Sequence, residues 1–332
     1  MPGTYGNIIL MSKIGVLTSG GDSPGMNAAI RSVVRSADAL NLETIGFMHG
    51  YQGLIDNQYI KLNPRSVANT IQRGGTWLKT ARCKEFYTTE GRIKAFENLK
   101  QNGISKLVCI GGDGTFSGAH LLHQEHGTNI FGIPGTIDND ISGTELTLGF
   151  DSAVNTAIES IDRIRDTADS HDRIFFIEVM GRDSSFIAID VAISCGAEGL
   201  ITPEYPFNKE ELVKNISASI KRGKKSSIYI VAEGETPGKS YEYASAISKS
   251  LEVSVKVCVL GHVQRGGAPS AKDRIIGSEW GAMAVEKLSQ DSGAFAGVII
   301  NGKATVVNLE ACIDKKQAPH KNTYDLIKNL SR

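Results

Sequence analysis

The chain carries no net charge, with 36 Lys and Arg against 36 Asp and Glu. That balance argues against general electrostatic binding to nucleic acid or an anionic membrane, though it leaves room for a local basic pocket. No apolar run approaches the ~20 residues of a membrane span. The first residues, 1–13, lack the charged start and apolar core of a signal peptide, since Ile8-Ile9-Leu10-Met11 is only a short run. Met11 is itself a candidate start, with Met1–Leu10 as an extension before it. Cysteines are few and unpaired in spacing: Cys83, Cys109, Cys195, Cys258 and Cys312 never form CxxC. They read as free thiols in a reducing cytoplasm, which excludes a disulfide frame or a zinc site. Internal repeats and low-complexity segments are also absent. What remains is a globular chain of 332 residues, too long for one small core and suited to two α/β lobes.

Glycine, by contrast, is abundant at 36 residues and clusters after apolar runs, as suits backbone that must approach a ligand closely. The reading is organised by Ile133-Pro134-Gly135-Thr136-Ile137-Asp138-Asn139-Asp140. Ile130, Phe131 and Ile133 suggest a short buried strand that Pro134-Gly135 ends. Asp138 and Asp140 then stand on a connection at a strand end, where open α/β sheets place ligands. Such a pair can divide labour, one carboxylate taking a proton from an attacking hydroxyl and the other holding a metal or its water. Alone, Asp-x-Asp also describes a turn whose side chains cap backbone groups.

Similar strand ends recur. Ile14–Thr18 is a strand followed by Gly20-Gly21-Asp22-Ser23-Pro24-Gly25 and a helix from Met26 to about Leu40, a layout that offers N–H groups to phosphate. Thr44–Phe47 is a strand ending at His49-Gly50-Tyr51, where Tyr51 could stack on a base or simply pack. Arg73-Gly74-Gly75-Thr76 and Arg82 form a polar loop. Lys106–Ile110 leads into Gly111-Gly112-Asp113-Gly114-Thr115, a carboxylate between glycines at a strand-to-helix turn, with the helix running from Thr115 to about Gln124. This is the strongest local signal for magnesium and phosphate. His120, His123 and His126 on that helix read as a solvated face.

A second lobe begins near Gly149-Phe150-Asp151. It reads as helix Ala153–Ala168, strand Arg173–Val179, helix Ile187–Ile193, short strand Gly199–Pro203 and helix Lys209–Arg222. Strand Ser226–Val231, helix Glu242–Leu251, strand Val257–Leu260 and helix Ala271–Lys287 follow, and the tail from Thr305 is mixed. Asp113, Asp138, Asp140, Arg182, Glu233, His262 and Arg265 all follow strands, and a doubly wound protein gathers such ends along one crevice. Gly234-Glu235-Thr236-Pro237-Gly238-Lys239-Ser240 imitates a Walker loop but is one residue short and contains proline, so it reads as a solvated turn.

With Gly20–Arg31, Gly111–Thr115, Gly135–Asp140, Met180–Arg182 and Gly261–Gly267 in one order, the chain resembles the 6-phosphofructokinases, from about Lys13 to at least Ala282. The resemblance implies an α/β fold of two lobes, each a mostly parallel sheet flanked by helices, with the active site in the cleft between them. Residues 1–149 with 264–311 would form the nucleotide lobe, and 150–263 with 312–332 the sugar-phosphate lobe. The implied enzyme is a cytoplasmic, magnesium-dependent kinase of glycolysis that moves the γ-phosphoryl of ATP to the C1 hydroxyl of fructose 6-phosphate.

By the same resemblance Asp138 would be the base, Asp113 the magnesium ligand with Asp140 near it, and Thr136 would orient the sugar. Arg82 and Arg182 would meet charge on the transferring group. Gly21, Tyr51, Arg82, Cys83, Gly112, Asp113, Gly114 and Thr115 would line the ATP site. Thr136, Ile137, Asp138, Met180, Gly181, Arg182 and Glu233 would hold the sugar, with His262, Val263, Gln264, Arg265, Arg173 and Lys256 at its 6-phosphate end. Arg173 and Lys256 would arrive from a neighbouring subunit, which requires a homo-oligomer, expected to be a tetramer.

An allosteric site between subunits, for ADP or phosphoenolpyruvate, would use Arg31, Arg35, Arg165, Gly196, Glu198, Arg222 and Lys224. Pro64 replaces one expected effector arginine and Ala68 a polar residue, which implies weakened or altered regulation. Lys256 replaces another arginine, keeping charge but losing the bidentate fork. Pyrophosphate-using relatives carry aspartate at the position of Gly114 and lysine at that of Gly135; glycine at both leaves room for a nucleotide, which favours ATP. The alternatives are a pyrophosphate-dependent or other sugar-phosphate kinase of this fold, or a silent nucleotide-sensing subunit.

Overall fold

Short apolar runs alternating with amphipathic segments bury themselves as parallel strands covered by helices. The computed structural model describes residues 13–234, 236–313 and 321–330. Met1–Leu10, the candidate start Met11 and Glu235 of the Walker-like stretch lie outside the described residues. In chain order the strands are β1 Lys13–Ser19, β2 Glu43–Phe47, β3 Tyr59–Leu62, β4 Ile104–Gly111, β5 Asn129–Thr136 and β6 Leu148–Gly149. Then come β7 Ile174–Val179, β8 Gly199–Ile201, β9 Ser227–Ala232, β10 Val255–Val259, β11 Ala294–Ile300 and β12 Lys303–Asn308. The helices are α1 Met26–Ala39, α2 Tyr51–Ile55, α3 Thr89–Gln101, α4 Asp113–His126 and α5 Phe150–Ser170. They continue with α6 Phe186–Ser194, α7 Lys209–Lys221, α8 Lys239–Leu251, α9 Ala271–Gln290 and α10 Lys321–Leu330.

The larger sheet has the order β12-β11-β5-β4-β1-β2-β3, with β6 beside β5. Its interior is parallel and only the edge strands β3 and β12 run antiparallel. Strand order reverses between β1 and β4, which opens a crevice at their carboxyl ends. Registers Ser19↔Gly111 and Gly111↔Pro134 set the ends of β1, β4 and β5 side by side, so their glycine-rich connections emerge together. The smaller sheet, β10-β7-β9-β8, is wholly parallel. There Val179↔Ala232 and Glu178↔Val259 align the ends of β7, β9 and β10.

Both faces of each sheet are packed. Trp280, Phe131 and Val33 lie in the cluster under α1 and α9, and Phe116, Phe86 and Leu99 in the cluster on the opposite face. Ile137, at the start of the connection after β5, is fully buried with Phe150, Ile177 and Val179 of the smaller sheet's core. The Thr136–Asp140 segment therefore leaves one sheet and is anchored in the core of the other.

Several sequence expectations change. Pro134-Gly135 does not end β5, which continues to Thr136; Pro134 pairs with Gly111, the last residue of β4, so its missing N–H falls at the end of the ladder. Asp113 and Gly114 belong to the first turn of α4 rather than to a loop. The histidine face is half-buried, not solvated: His126 stacks on Phe96 with centroids 4.6 Å apart, and His123 Nδ1 lies 2.8 Å from the Thr128 carbonyl. The Walker-like stretch is not a free turn. Its last residues begin α8, whose N-terminus is occupied by the buried Glu178 carboxylate, accepting from Gly238 N at 2.7 Å, Ser240 N at 3.1 Å and Ser240 Oγ at 2.6 Å. An anion already fills the place a phosphate would take.

Candidate active site

Asp138 lies where the two sheets' loops meet, 7% exposed. Its N–H donates to Thr136 Oγ1 at 3.2 Å, and Ser184 Oγ donates to its carbonyl at 2.6 Å. Thr147 Oγ1 donates to the Thr136 carbonyl at 2.6 Å. Backbone bonds thus hold the segment from both lobes and leave the carboxylate for other work. Among the described residues, Asp138 Oδ1 is buried with no hydrogen-bond partner. A buried, unpartnered carboxylate oxygen is costly, and such costs concentrate where a ligand supplies the missing partner. Burial pushes the Asp138 carboxyl above its ordinary range, with Glu233 adding to the shift, while Arg265, Arg182 and the Thr136 hydroxyl oppose it.

The smaller lobe contributes the surrounding groups. Gly181 has φ of 142°, and Cβ there would sit 2.5 Å from the Ser184 carbonyl, so the Met180–Arg182 turn requires glycine. Gln264 is fully buried; its Oε1 accepts from Met180 N at 2.8 Å, and among the described residues its Nε2 has no partner. Glu233 Oε2 is likewise buried and unpartnered among the described residues. Burial first, and Glu178 second, push the Glu233 carboxyl up, against the pull of Arg265, Arg182 and His262. Three unsatisfied polar atoms, a neutral amide and two carboxylates, with arginines and a histidine around them, suit a polyhydroxylated anion.

The facing side of the cleft is built by the larger lobe. Arg265 Nη1 donates to the Asp22 carbonyl at 3.0 Å, and Cβ on Gly21 would lie 2.8 Å from that nitrogen, so glycine lets the arginine close on the loop after β1. Thr115 Oγ1 donates to the Ser19 carbonyl at 3.1 Å, tying the connections after β1 and β4 together. Asp113 and Arg82 are exposed at this edge, while Asp140 is half-buried. Gly112 faces Thr136, whose Cβ would be 3.6 Å from an added Cβ.

Tyr51 is 4% exposed, stacks on Phe86 with centroids 3.8 Å apart, and donates to the Thr115 carbonyl at 2.6 Å. Its ring packs against Phe86 beneath the first turn of α4, so the base-stacking reading of Tyr51 gives way to the packing one. Cys83 is buried, and burial raises its thiol. The side chain of Ile137 is in the core, so only its backbone is left to face a substrate. Val263 and His262 are exposed.

Gly114 and Gly135 differ. The nearest atom to an added Cβ at Gly114 is Tyr87 Oη at 3.9 Å, a loose van der Waals contact that leaves it room. At Gly135 the room is already filled, with Met26 Cε at 3.0 Å and Ile110 Cγ2 at 3.1 Å. Only the first glycine leaves room of the kind expected of both.

Arg173 and Lys256 are not brought to this site. Arg173 precedes β7, whose far end carries Met180, about 23 Å away at the ~3.3 Å rise of a parallel strand. Lys256, on the edge strand β10, pairs with Phe175 near that same remote end. Of the effector set, Arg165 donates to the Cys195 carbonyl beside Gly196, Arg222 Nη2 donates to Ser219 Oγ at 3.2 Å, and Lys224 pairs with Glu198 at 2.6 Å. Arg31 and Arg35 stand apart from these on α1 of the other lobe.

Sequence reasoning missed Ser184, Thr147 and Glu178, hydroxyls and a carboxylate spent on backbone groups. Ser and Thr near strand ends carry no signal that separates them from ordinary turn residues.

Comparison with known proteins agrees with this geometry. The family model "PFK: Phosphofructokinase" matches residues 13–288. The chain is 54% identical over 310 residues to "ATP-dependent 6-phosphofructokinase 1" of Thermus thermophilus, covering 92% of this chain and 95% of that one. It is 49% identical over 321 residues to the Bacillus subtilis "ATP-dependent 6-phosphofructokinase", covering 97% and 100%. The solved phosphofructokinase of Pichia pastoris superposes with a TM-score of 0.86 at 34% identity, over 91% of this chain and 35% of that longer one. A match across most of the chain, on a fold that gathers the same strand-end residues, means that the chain belongs to the phosphofructokinase family.

Proposed function

We propose that this chain transfers the γ-phosphoryl group of ATP to the C1 hydroxyl of fructose 6-phosphate, giving fructose 1,6-bisphosphate and ADP, the committed step of glycolysis in the cytoplasm. The observation that carries the reading is the Asp138 carboxylate, buried where the lobes meet with Oδ1 unpartnered among the described residues. The names of relatives about half identical in sequence support ATP as donor.

As the C1 oxygen bonds to the γ-phosphorus, its proton passes to Asp138, and the bond from that phosphorus to the β-phosphate oxygen breaks, releasing ADP. Burial keeps the Asp138 carboxyl nearer to neutrality in its proton affinity than a solvated aspartate, which favours the base role. Arg182 and Arg265 lie in its field; Arg182, with Arg82, would meet the charge that moves onto the transferring group, and Arg265 would serve the 6-phosphate end of the sugar. Arg265 also touches the loop after β1, so one guanidinium faces both substrates' ends of the cleft.

Among the described residues no three His, Cys, Asp or Glu side chains converge as a metal cage. That suits magnesium, which is bound through one or two carboxylates with phosphates and waters completing its shell. Asp113, exposed beside the room left at Gly114, and Asp140 would hold it. When bound, magnesium neutralises charge on the β- and γ-phosphates.

Because Arg173 and Lys256 lie at the remote end of β7 and β10, they would clamp the 6-phosphate bound by a neighbouring subunit, in a homo-oligomer expected to be a tetramer. ADP or phosphoenolpyruvate would bind between subunits at Arg165, Gly196, Glu198, Arg222 and Lys224 of one chain and Arg31 and Arg35 of another, with weakened effect because Pro64 and Ala68 offer no charged group. The deciding test offers fructose 6-phosphate and magnesium with either ATP or pyrophosphate. Turnover with ATP alone, lost in Asp138→Asn, supports the reading; turnover with pyrophosphate alone, or with neither, overturns it.

A further inference from the structure

The catalytic segment is held at a joint outside the cleft. Asp273, in the first turn of α9, is 1% exposed. Its Oδ1 accepts from Gly149 N at 2.8 Å, and its Oδ2 accepts from Ser152 N at 2.9 Å and Ser152 Oγ at 2.5 Å. Ser270 completes a ring: its Oγ lies 3.5 Å from Asp273 Oδ2 and accepts from Asp273 N at 3.2 Å, and its N–H donates to Ser152 Oγ at 2.8 Å. One carboxylate thus serves the first turn of α5 from the first turn of α9.

The joint connects directly to the site. Gly149 pairs with Thr136 across the β5–β6 ladder, and Thr136 Oγ1 accepts from Asp138 N. The loop after β1 presses on the same place, since Cβ on Gly149 would lie 2.6 Å from Ser23 Cβ, and Cβ on Gly25 would lie 3.3 Å from Asp273 Cβ. Three segments converge here: the loop after β1, the strand pair carrying Thr136, and α5, the first helix of the second lobe.

We propose that Asp273 is a positioning residue for phosphoryl transfer. By fixing Gly149 and Ser152 it sets the register of Thr136, and so the aim of the Asp138 carboxylate against the loop after β1. It touches no substrate. A carboxylate suits the task because it accepts several N–H and O–H bonds at once; asparagine keeps one acceptor oxygen and turns an NH₂ toward donors. A displacement of about 1 Å at a reacting group costs about 10²-fold in rate.

The inference rests on the proposed kinase activity, so wild-type turnover with ATP and fructose 6-phosphate is the control. If wild type is inactive, the functional reading fails and the inference falls with it. If wild type is active, the test compares Asp273→Asn, Ser152→Ala, Asp138→Asn and the double variant Asp273→Asn/Asp138→Asn. The expected result is kcat lowered about 10²-fold in Asp273→Asn and several-fold in Ser152→Ala, with KM for both substrates within about threefold. The double variant then loses little beyond Asp138→Asn alone, because Asp273 acts through Asp138. Ser152→Ala keeps the test alive if Asp273→Asn does not fold. Folded variants with unchanged kcat, or losses that multiply fully with Asp138→Asn, overturn the proposal.

Discussion

Replacing the two glycines of the donor argument separates space from packing. In Gly114→Asp the new side chain enters open surface in the first turn of α4, next to Asp113, with Tyr87 Oη the nearest atom at 3.9 Å. Aspartate is only slightly better than glycine as a helix former, by ~0.3 kcal/mol, and a carboxylate near a helix N-terminus gains about 0.3–1 kcal/mol. Repulsion from Asp113 offsets part of this, leaving a gain of ~0.5 kcal/mol and a Tm at or slightly above wild type. Toward ATP the sign reverses. Two unit charges about 5 Å apart in an effective dielectric of about 20 repel by about 3 kcal/mol, or about 10²-fold in binding. Gly114→Ala, which adds no charge, keeps ATP turnover within a few-fold.

Gly135→Lys behaves otherwise, because its Cβ would press on Met26 Cε at 3.0 Å and Ile110 Cγ2 at 3.1 Å. Overpacking costs about 1–3 kcal/mol, so Tm falls. The assay pairs thermal unfolding with initial rates over a range of ATP concentrations. A Gly114→Asp protein that keeps wild-type KM for ATP, or a Gly135→Lys protein as stable as wild type, refutes the assignment of room to the first position and packed core to the second.

Asp138→Asn lowers kcat by about 10²–10⁴-fold, measured by coupled assay, without lowering Tm at neutral pH. The sign follows from linkage: burial raises the folded-state carboxyl above its unfolded value, so its contribution to stability is present at low pH and lost as pH rises through the folded value, and a neutral amide escapes that loss. The same shift sets the acidic limb of the kcat/KM profile, which reports the free enzyme and falls at higher pH than an ordinary aspartate would give, and Arg182→Leu moves it higher still. Arg173→Ala and Asp138→Asn, each inactive alone, regain turnover when refolded together if sites are shared between subunits; a mixture as inactive as its parents counts against sharing. ADP and phosphoenolpyruvate change half-saturation by fructose 6-phosphate less than about tenfold, worth ~1.4 kcal/mol, and Pro64→Arg enlarges the change; a larger response in wild type contradicts the weakened-site reading.

The legible parts of this protein are those where chemistry and backbone make the same demand. Glycine-flanked carboxylates after apolar runs announce strand ends, and parallel sheets set such ends side by side, so Asp113, Asp138, Arg182 and Glu233 could be read as one crevice before any contact was known. What escaped lies elsewhere in the physics. The β11–β12 hairpin turns at Asn301-Gly302, both at positive φ, a strong local turn signal that a reading intent on glycine-rich ligand loops passes over. Helix α3 carries its own N-cap, Thr88 accepting from Gly91 N at 3.1 Å, but its charged outer face masks the apolar stripe of Ala95 and Leu99. Glu178 and Asp273 were invisible for a different reason. Each is a buried carboxylate bonded to backbone N–H groups distant in sequence, 60 and 124 residues away for Gly238 and Gly149. A carboxylate's partners at such separation are fixed by topology, not by neighbours in the chain, so motif spacing points to candidate catalytic residues while the buried carboxylates that hold the loops around them emerge only from the fold.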